Sequence, residues 1–318
     1  MQERSKIVAG TFTHWMVVER AIDKFKNLPE KDKHKYFPTI LGNNHFVMLG
    51  SVGPDYPYLS ELKNNILKLH SWADRMHYEN TGGFVIEGIK NLQNLKDKEE
   101  FRVCLPWLCG YVTHLIADTV IHPVVNVIVG PYIFNSTEHR HCEMIQDSFI
   151  FKEIKKVEIS YAEYTRLIKM CSEGDSGNIN PAIDSFWTKT LEMSHPDGKD
   201  KFRYINPDDW HNGFLSKIEL ASNPIPIFRH IGEEANLAYK MTGSITDHER
   251  STYITDVSFP GGKKGNFINA FEMAVDKVIE AWGRLFEDIE KNRPDDCGEY
   301  IRNWNLDTGV DEERLYFW

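Results

Sequence analysis

His114, Asp118 and His122 recur at four-residue intervals inside the apolar stretch YVTHLIADTVIHP, residues 111–123. On an α-helix a four-residue step overshoots a full turn by about 40° and climbs about 6 Å, so the three side chains follow one side of the helix. Around them stand Val112, Leu115, Ile116, Ala117, Val120 and Ile121, with Trp107 and Leu108 upstream. A helix apolar on nearly every side is a buried helix. Imidazoles and a carboxylate inside it destabilise the fold unless something pairs with them. Mixtures of neutral imidazole and carboxylate are a donor set that zinc accepts, and a catalytic zinc site keeps one position open for water.

Further donors sit in separate segments. THW carries His14, GSVGPDYPYL places Asp55 in a Gly/Pro turn, and ADRMHYENTGGF puts His77 near a helix end. EHRHCEMIQDS sets His139 four residues before Glu143, with Asp147 one turn beyond. Each has an ordinary reading when taken singly. A lone histidine satisfies one hydrogen bond in a core, an exposed i,i+4 pair contributes a few tenths of a kcal/mol, and an aspartate after proline caps a turn. His70 competes with His77, and His141 with His139, although only His139 has a carboxylate four residues on. Asp147 is a further ligand or a partner that orients an imidazole.

The elements that must position these groups are helical. Val17, Val18, Ala21, Ile22 and Phe25 mark one amphipathic face, with Thr11 or Thr13 as its cap. Leu62, Ile66, Leu69, Ala73 and Met76 predict a second helix through LKNNILKLHSWADRMHYE, and a third starts at Phe267 in FINAFEMAVDKVIEAWGRLFEDIEK. Few segments alternate with period two, so the expected fold is all-α, a multi-helix bundle around a buried metal-ligating helix. Breaks at 172–181, 195–200 and 258–266 set off roughly 150–260 as a helical insertion or substrate-shaping region within one domain spanning 1–318.

Composition narrows the function classes. A formal net charge of -10 argues against a nucleic-acid groove or a docking face for anionic membrane. Five cysteines, an odd set without CxxC spacing, read as free thiols in a reduced compartment. No apolar signal segment follows the charged start, so the expected location is cytoplasmic. The stretch from Val103 to Gly130 is apolar enough to suggest a membrane span. Its His, Asp and Pro interruptions predict a core helix instead, and no transmembrane segment. Oligomeric state has no signature in the sequence.

The order THW, GSVGPD, RMHYENTGGF, GYVTHLIADTVIHP, HRHCEMIQD resembles the bacterial zinc-dependent phospholipase C family over roughly residues 10–150, with weaker echoes in NAFEMAVDKVIEAW. That resemblance implies an all-α fold with a cluster of up to three zinc ions in a cleft. It implies one zinc among Asp55, His77, His114 and Asp118, and a second held by His122, His139 and Glu143. A third would be shared by Asp118 and His14. His77 is preferred over His70 because it stands inside the MHYENTGGF block. Secreted members complete the third site with an amino terminus close to the first histidine. Thirteen residues precede His14 here, so two or three ions are expected.

Clustered zinc ions suit phosphoester hydrolysis, since they acidify water and clamp phosphoryl oxygens. The resemblance implies a phosphodiester substrate with an alcohol leaving group, as when a phospholipid loses its phosphorylated headgroup. Asp55 would be both ligand and proton acceptor from the attacking water. Tyr56 and Tyr58 either line the mouth and meet a cationic headgroup or simply pack. Two alternatives stay open. One is a nuclease or nucleotidase, since fungal single-strand-specific nucleases share a similar zinc arrangement. The other is a non-hydrolytic protein that reuses the metal scaffold.

Overall fold

In the computed structural model, residues 10–30, 33–60, 71–160, 162–174, 176–197, 204–222 and 239–318 are described. The chain runs through α1 (Thr11–Lys26), α2 (Phe37–Gly42), α3 (Asn44–Gly50) and a 3₁₀ turn at Gly53–Asp55. Next come α4 (Tyr56–Ser60), α5 (Trp72–Tyr78), α6 (Thr81–Asn94), α7 (Lys98–Val129) and α8 (Tyr132–Lys155). α9 (Ala162–Lys169), α10 (Pro181–Ser194), α11 (Pro207–Ser222), α12 (Asp247–Arg250) and α13 (Phe267–Lys291) follow. Strand among the described residues is confined to two antiparallel pairs, β1 (Val257–Ser258) with β2 (Lys264–Gly265) and β3 (Trp304–Asn305) with β4 (Val310–Asp311). The fold is all-α, as the periodicity predicts.

α7 is the central element, buried without interruption from Cys104 to Ile121. Asp97 starts it by accepting from Glu99 N at 2.7 Å. Pro106 and Pro123 lie inside it; each removes one backbone hydrogen bond, so neighbouring elements hold the helix through those points. By length and apolar composition it matches a membrane span, but most of that stretch is buried inside the protein. Helix α3 crosses it at backbone contact. A Cβ on Gly50 would stand 2.0 Å from the Trp107 carbonyl oxygen, and one on Gly110 would stand 2.1 Å from that of Val47. Only glycine permits that approach, and it delivers the Ser51–Asp55 segment to the level of His114.

Helix α13 begins at Phe267, capped reciprocally by Asn266 and Asn269, and lays an apolar face from Phe267 to Ile289 into the core. Trp282 donates to the Cys109 carbonyl on α7 at 2.9 Å. Phe186 and Trp187 of α10, with Trp210 and Phe214 of α11, lie in the same hydrophobic core as α7. The five cysteines are free and buried.

Two local expectations change. Thr11 and Thr13 lie inside α1 and neither caps it; Gly10 occupies the N-cap position at φ 92° without a side-chain cap. The open amides are satisfied instead from α8, where Asp147 accepts from Thr13 N at 2.7 Å and Phe12 N at 3.4 Å. A fixed, buried carboxylate there does the work of a local cap. The helix through LKNNILKLHSWADRMHYE does not continue across Ser71, which is extended and caps α5 through a reciprocal pair with Asp74. Leu62, Ile66, Leu69 and His70 lie outside the described residues.

Candidate metal centre

α7 presents His114, Asp118 and His122, and three other segments close on them. His14 comes from α1, Asp55 from the 3₁₀ turn, and His77 from the last turn of α5. All of these except His122 are buried; the His122 side chain is 21% exposed, which makes it the open side of the cluster.

Asp118 is the hub. Its Oδ1 lies 3.1 Å from His14 Nε2 and 3.5 Å from His122 Nε2, and its Oδ2 lies 3.1 Å from His114 Nε2 and 3.7 Å from His77 Nε2. Asp55 Oδ1 sits 3.2 Å from His77 Nε2. Two sets of three donors fall within 4.8 Å of one another and share His114: His14 with Asp118, and Asp55 with His77. The imidazoles of His14 and His114 stack at 4.4 Å with 19° between planes.

The ring orientations fix which atoms face inward. His77 donates from Nδ1 to the Ala73 carbonyl at 2.7 Å, and His114 donates from Nδ1 to the Ser51 carbonyl at 3.1 Å. In the neutral rings both Nε2 atoms then carry lone pairs, and those atoms are 3.3 Å apart beside carboxylate oxygens. Burial favours neutral His114 and draws its pKa down. Burial also opposes charge on Asp118, yet the surrounding imidazoles of His114, His122 and His14 hold its carboxyl well below the usual range. Asp55 is held low in the same way, by His114 and His77 against its own burial. For His77 burial pulls down, and Asp55 and Asp118 outweigh it, so the net direction is up.

Zinc fits this donor set on two observations. The Nε2 atoms of His77 and His114 converge with carboxylate oxygens, and among the described residues the charge partners of Asp55, Asp118 and Glu143 are imidazoles. In addition, Asp55 Oδ2 and His14 Nδ1 are buried with no hydrogen-bond partner. A cation is what such a set lacks.

The remaining predicted residues divide. Glu143 joins the cluster through His122, Oε1 to Nε2 at 3.4 Å, and both line a small recess with Gly10, Thr13, His14, Asp118, Ile121 and Gln146. Burial pushes the Glu143 carboxyl up to about 8. The His122 imidazole is raised to about 10, because Asp118, Asp307 and Glu143 outweigh the lowering effect of burial. His139 is directed elsewhere: its Nε2 lies 2.9 Å from the Gly130 carbonyl oxygen and 3.0 Å from Asn126 Oδ1. Only Nδ1 of that ring is left for an ion. His141 pairs with Glu249 at 2.9 Å, outside the cluster. Asp147 ties α1 in place and also accepts from the Tyr239 hydroxyl at 2.9 Å.

Tyr56 does not line a mouth. It is fully buried and stacked on Phe214 at 4.2 Å. Tyr58 borders His77, ring to ring at 5.3 Å, and donates to Asp74 at 2.9 Å. Two residues beyond the predicted set also stand here: Tyr78 donates to Asp307 Oδ2 at 2.8 Å, and Asp307 Oδ1 is 3.4 Å from His122 Nδ1.

No curated protein and no solved structure matches the chain. A family model described as zinc dependent phospholipase C matches residues 13–196, a span that holds every predicted donor and more than half of the sequence. With that match over this arrangement of buried imidazoles and carboxylates, the chain belongs to the zinc-dependent phospholipase C family.

Proposed function

We propose that the protein hydrolyses a phosphodiester, with a phospholipid as substrate class, using two or three zinc ions held by His14, Asp55, His77, His114, Asp118, His122 and Glu143. His139 would contribute through Nδ1. The observation that carries the reading is the convergence of His77 Nε2, His114 Nε2, Asp55 Oδ1 and Asp118 Oδ2 on one buried point, with Asp118 Oδ1 turned to His14 and His122. Zinc held there supplies positive charge for the phosphoryl oxygens and acidifies the attacking water.

The chain's own part is orientation and proton transfer. The Ala73 and Ser51 carbonyls keep the His77 and His114 rings turned inward. Asp55 Oδ2 is a buried carboxylate oxygen of the cluster without a hydrogen-bond partner, and in this reading it accepts the proton that water gives up. A P–O bond forms to that water oxygen, and the P–O bond to the glycerol-side oxygen breaks. The leaving alkoxide takes a proton from solvent water while Asp55 returns its own to solvent, yielding a diacylglycerol and a phosphorylated headgroup.

The test is elemental analysis followed by a substrate panel on zinc-loaded protein. Two or three equivalents of zinc are expected, with turnover of phosphatidylcholine and of a small phosphodiester. One equivalent or fewer after reconstitution at neutral pH would count against the ligand set. Cleavage of single-stranded DNA in preference to phospholipid would replace the substrate class, and no turnover on any of the three would remove the hydrolytic reading.

A further inference from the structure

The family match ends at residue 196, yet the chain returns to the metal helix more than a hundred residues later. Between β3 and β4 the turn Leu306–Gly309 lies against α7 and α5. Leu306 N donates to the His77 carbonyl at 3.0 Å, and the Asn126 side chain donates to the Asp307 carbonyl. Gly309, at φ 65°, backs onto α7 so closely that a Cβ would stand 2.9 Å from the Thr119 carbonyl oxygen. Pro123 cannot donate to that carbonyl, which leaves it without its i+4 helical donor. One residue on, the Trp318 indole donates to the Val120 carbonyl at 3.0 Å. The end of the chain therefore docks where Pro123 interrupts α7.

Within the turn, Asn305 Oδ1 accepts from Asp307 N at 3.1 Å and Thr308 N at 3.2 Å, which fixes the Asp307 backbone. The carboxylate is placed between two rings. Oδ2 accepts from the Tyr78 hydroxyl at 2.8 Å, and Oδ1 lies 3.4 Å from His122 Nδ1. The opposite nitrogen, His122 Nε2, faces Glu143 at 3.4 Å and Asp118 at 3.5 Å. His77 and His114 are turned inward by main-chain carbonyls; at His122 the partner on the outer nitrogen is Asp307. An imidazole that gives Nδ1–H to a carboxylate keeps its Nε2 lone pair directed and more basic toward a metal.

We infer that Asp307 is a positioning residue for a metal, holding His122 so that Nε2 points between Asp118 and Glu143, and that the C-terminal turn is thereby part of the zinc centre. The inference rests on the zinc reading of the cluster and adds a residue from outside the matched segment.

Zinc affinity, measured by competition with a chromophoric chelator, tests it on the full chain. Asp307→Asn should weaken the most loosely held zinc about 10–100-fold and leave the tighter zinc unchanged. Tyr78→Phe, which removes only the hydroxyl that steadies Asp307, should weaken the same ion by a smaller factor. In a His122→Ala background Asp307→Asn should add nothing. Parental affinity in Asp307→Asn, or an undiminished loss in the His122→Ala background, would overturn the assignment while the zinc reading stood. Should Asp307→Asn fail to fold, Tyr78→Phe decides, and an unchanged affinity there overturns it equally. A parental protein that takes up no zinc would remove the zinc reading, and this inference with it.

Discussion

His77 and His114 face each other through Nε2 at 3.3 Å, each with its Nδ1 proton given to a main-chain carbonyl. In the neutral rings two lone pairs at that distance repel, and Asp118 Oδ2 adds a third electron-rich atom 3.1 Å from His114 Nε2. The fold brings them together only at a cost that a cation repays. Removing zinc with a chelator should therefore lower the unfolding temperature. At a free zinc concentration about a thousandfold above Kd, the stabilisation should be about 4 kcal/mol. An unfolding temperature indifferent to zinc would be the contrary result.

Asp147 should affect zinc without touching it. It is fully buried, accepts from Thr13 N, Thr13 Oγ1 and the Tyr239 hydroxyl, and so fixes the helix end that carries His14. Asp147→Ala removes the acceptor from the buried Thr13 amide and hydroxyl and should cost about 2–4 kcal/mol in urea unfolding. It should also lower zinc content, if the proposed site between His14 and Asp118 holds an ion. Asp147→Asn keeps acceptors for two of the donors and should recover part of both losses. A variant with parental zinc content would show that α1 is held by other means.

How much of this was legible in the sequence follows from the range of each interaction. The start of α13 at Phe267 and the burial of α7 are visible because apolar spacing is a local property. His114, Asp118 and His122 are visible for the same reason, as polar interruptions of an apolar helix. The Asp147 cap is not visible, because its partners on α1 are more than a hundred residues away and Thr11 and Thr13 offer a nearer, mistaken choice. Asp307 is hidden more deeply: NLDTG reads as an ordinary turn, and only folding sets it beside His122. The ring direction of His139 is equally non-local. It depends on the Gly130 carbonyl and on Asn126, and α8 departs from helical angles at Asn135. Tyr56 has no local sign of burial either, since Phe214 and Trp187, which cover it, come from α11 and α10.

His211 should make stability depend on pH away from the metal cluster. Its ring is fully buried, with Nε2 2.9 Å from Ser172 Oγ and Nδ1 without a partner, and burial pushes its pKa down to about 4. The unfolded chain takes up the proton near the ordinary value of about 6.5, whereas the folded protein resists until about 4. The unfolded state thus binds more protons in that window. The contribution is complete above about pH 6.5 and is lost as pH falls toward 4, with about 2 kcal/mol gone by pH 5. His211→Gln should flatten the dependence between pH 7 and pH 5. An unchanged slope would assign it to other groups.

Asp55 and Asp118 should separate metal retention from turnover. Asp118 meets four imidazoles through its two oxygens. Asp118→Ala should therefore lose zinc, activity and the stability that zinc confers. Asp55 meets His77 through Oδ1 and keeps Oδ2 without a hydrogen bond, while His77, His114 and Asp118 remain to hold an ion if it changes. Asp55→Asn preserves the shape and one acceptor oxygen but is a far weaker base. It should keep most of the zinc and lose about 10²–10⁴-fold in turnover, the range for a removed general base. Zinc content and hydrolysis of a small phosphodiester, measured side by side on both variants, give the comparison. If Asp55→Asn turns over near the parental rate with full zinc, the proton goes elsewhere and Asp55 is a ligand only. If it loses zinc as completely as Asp118→Ala, the two carboxylates share one structural role, and the base must be sought among the other groups of the cluster.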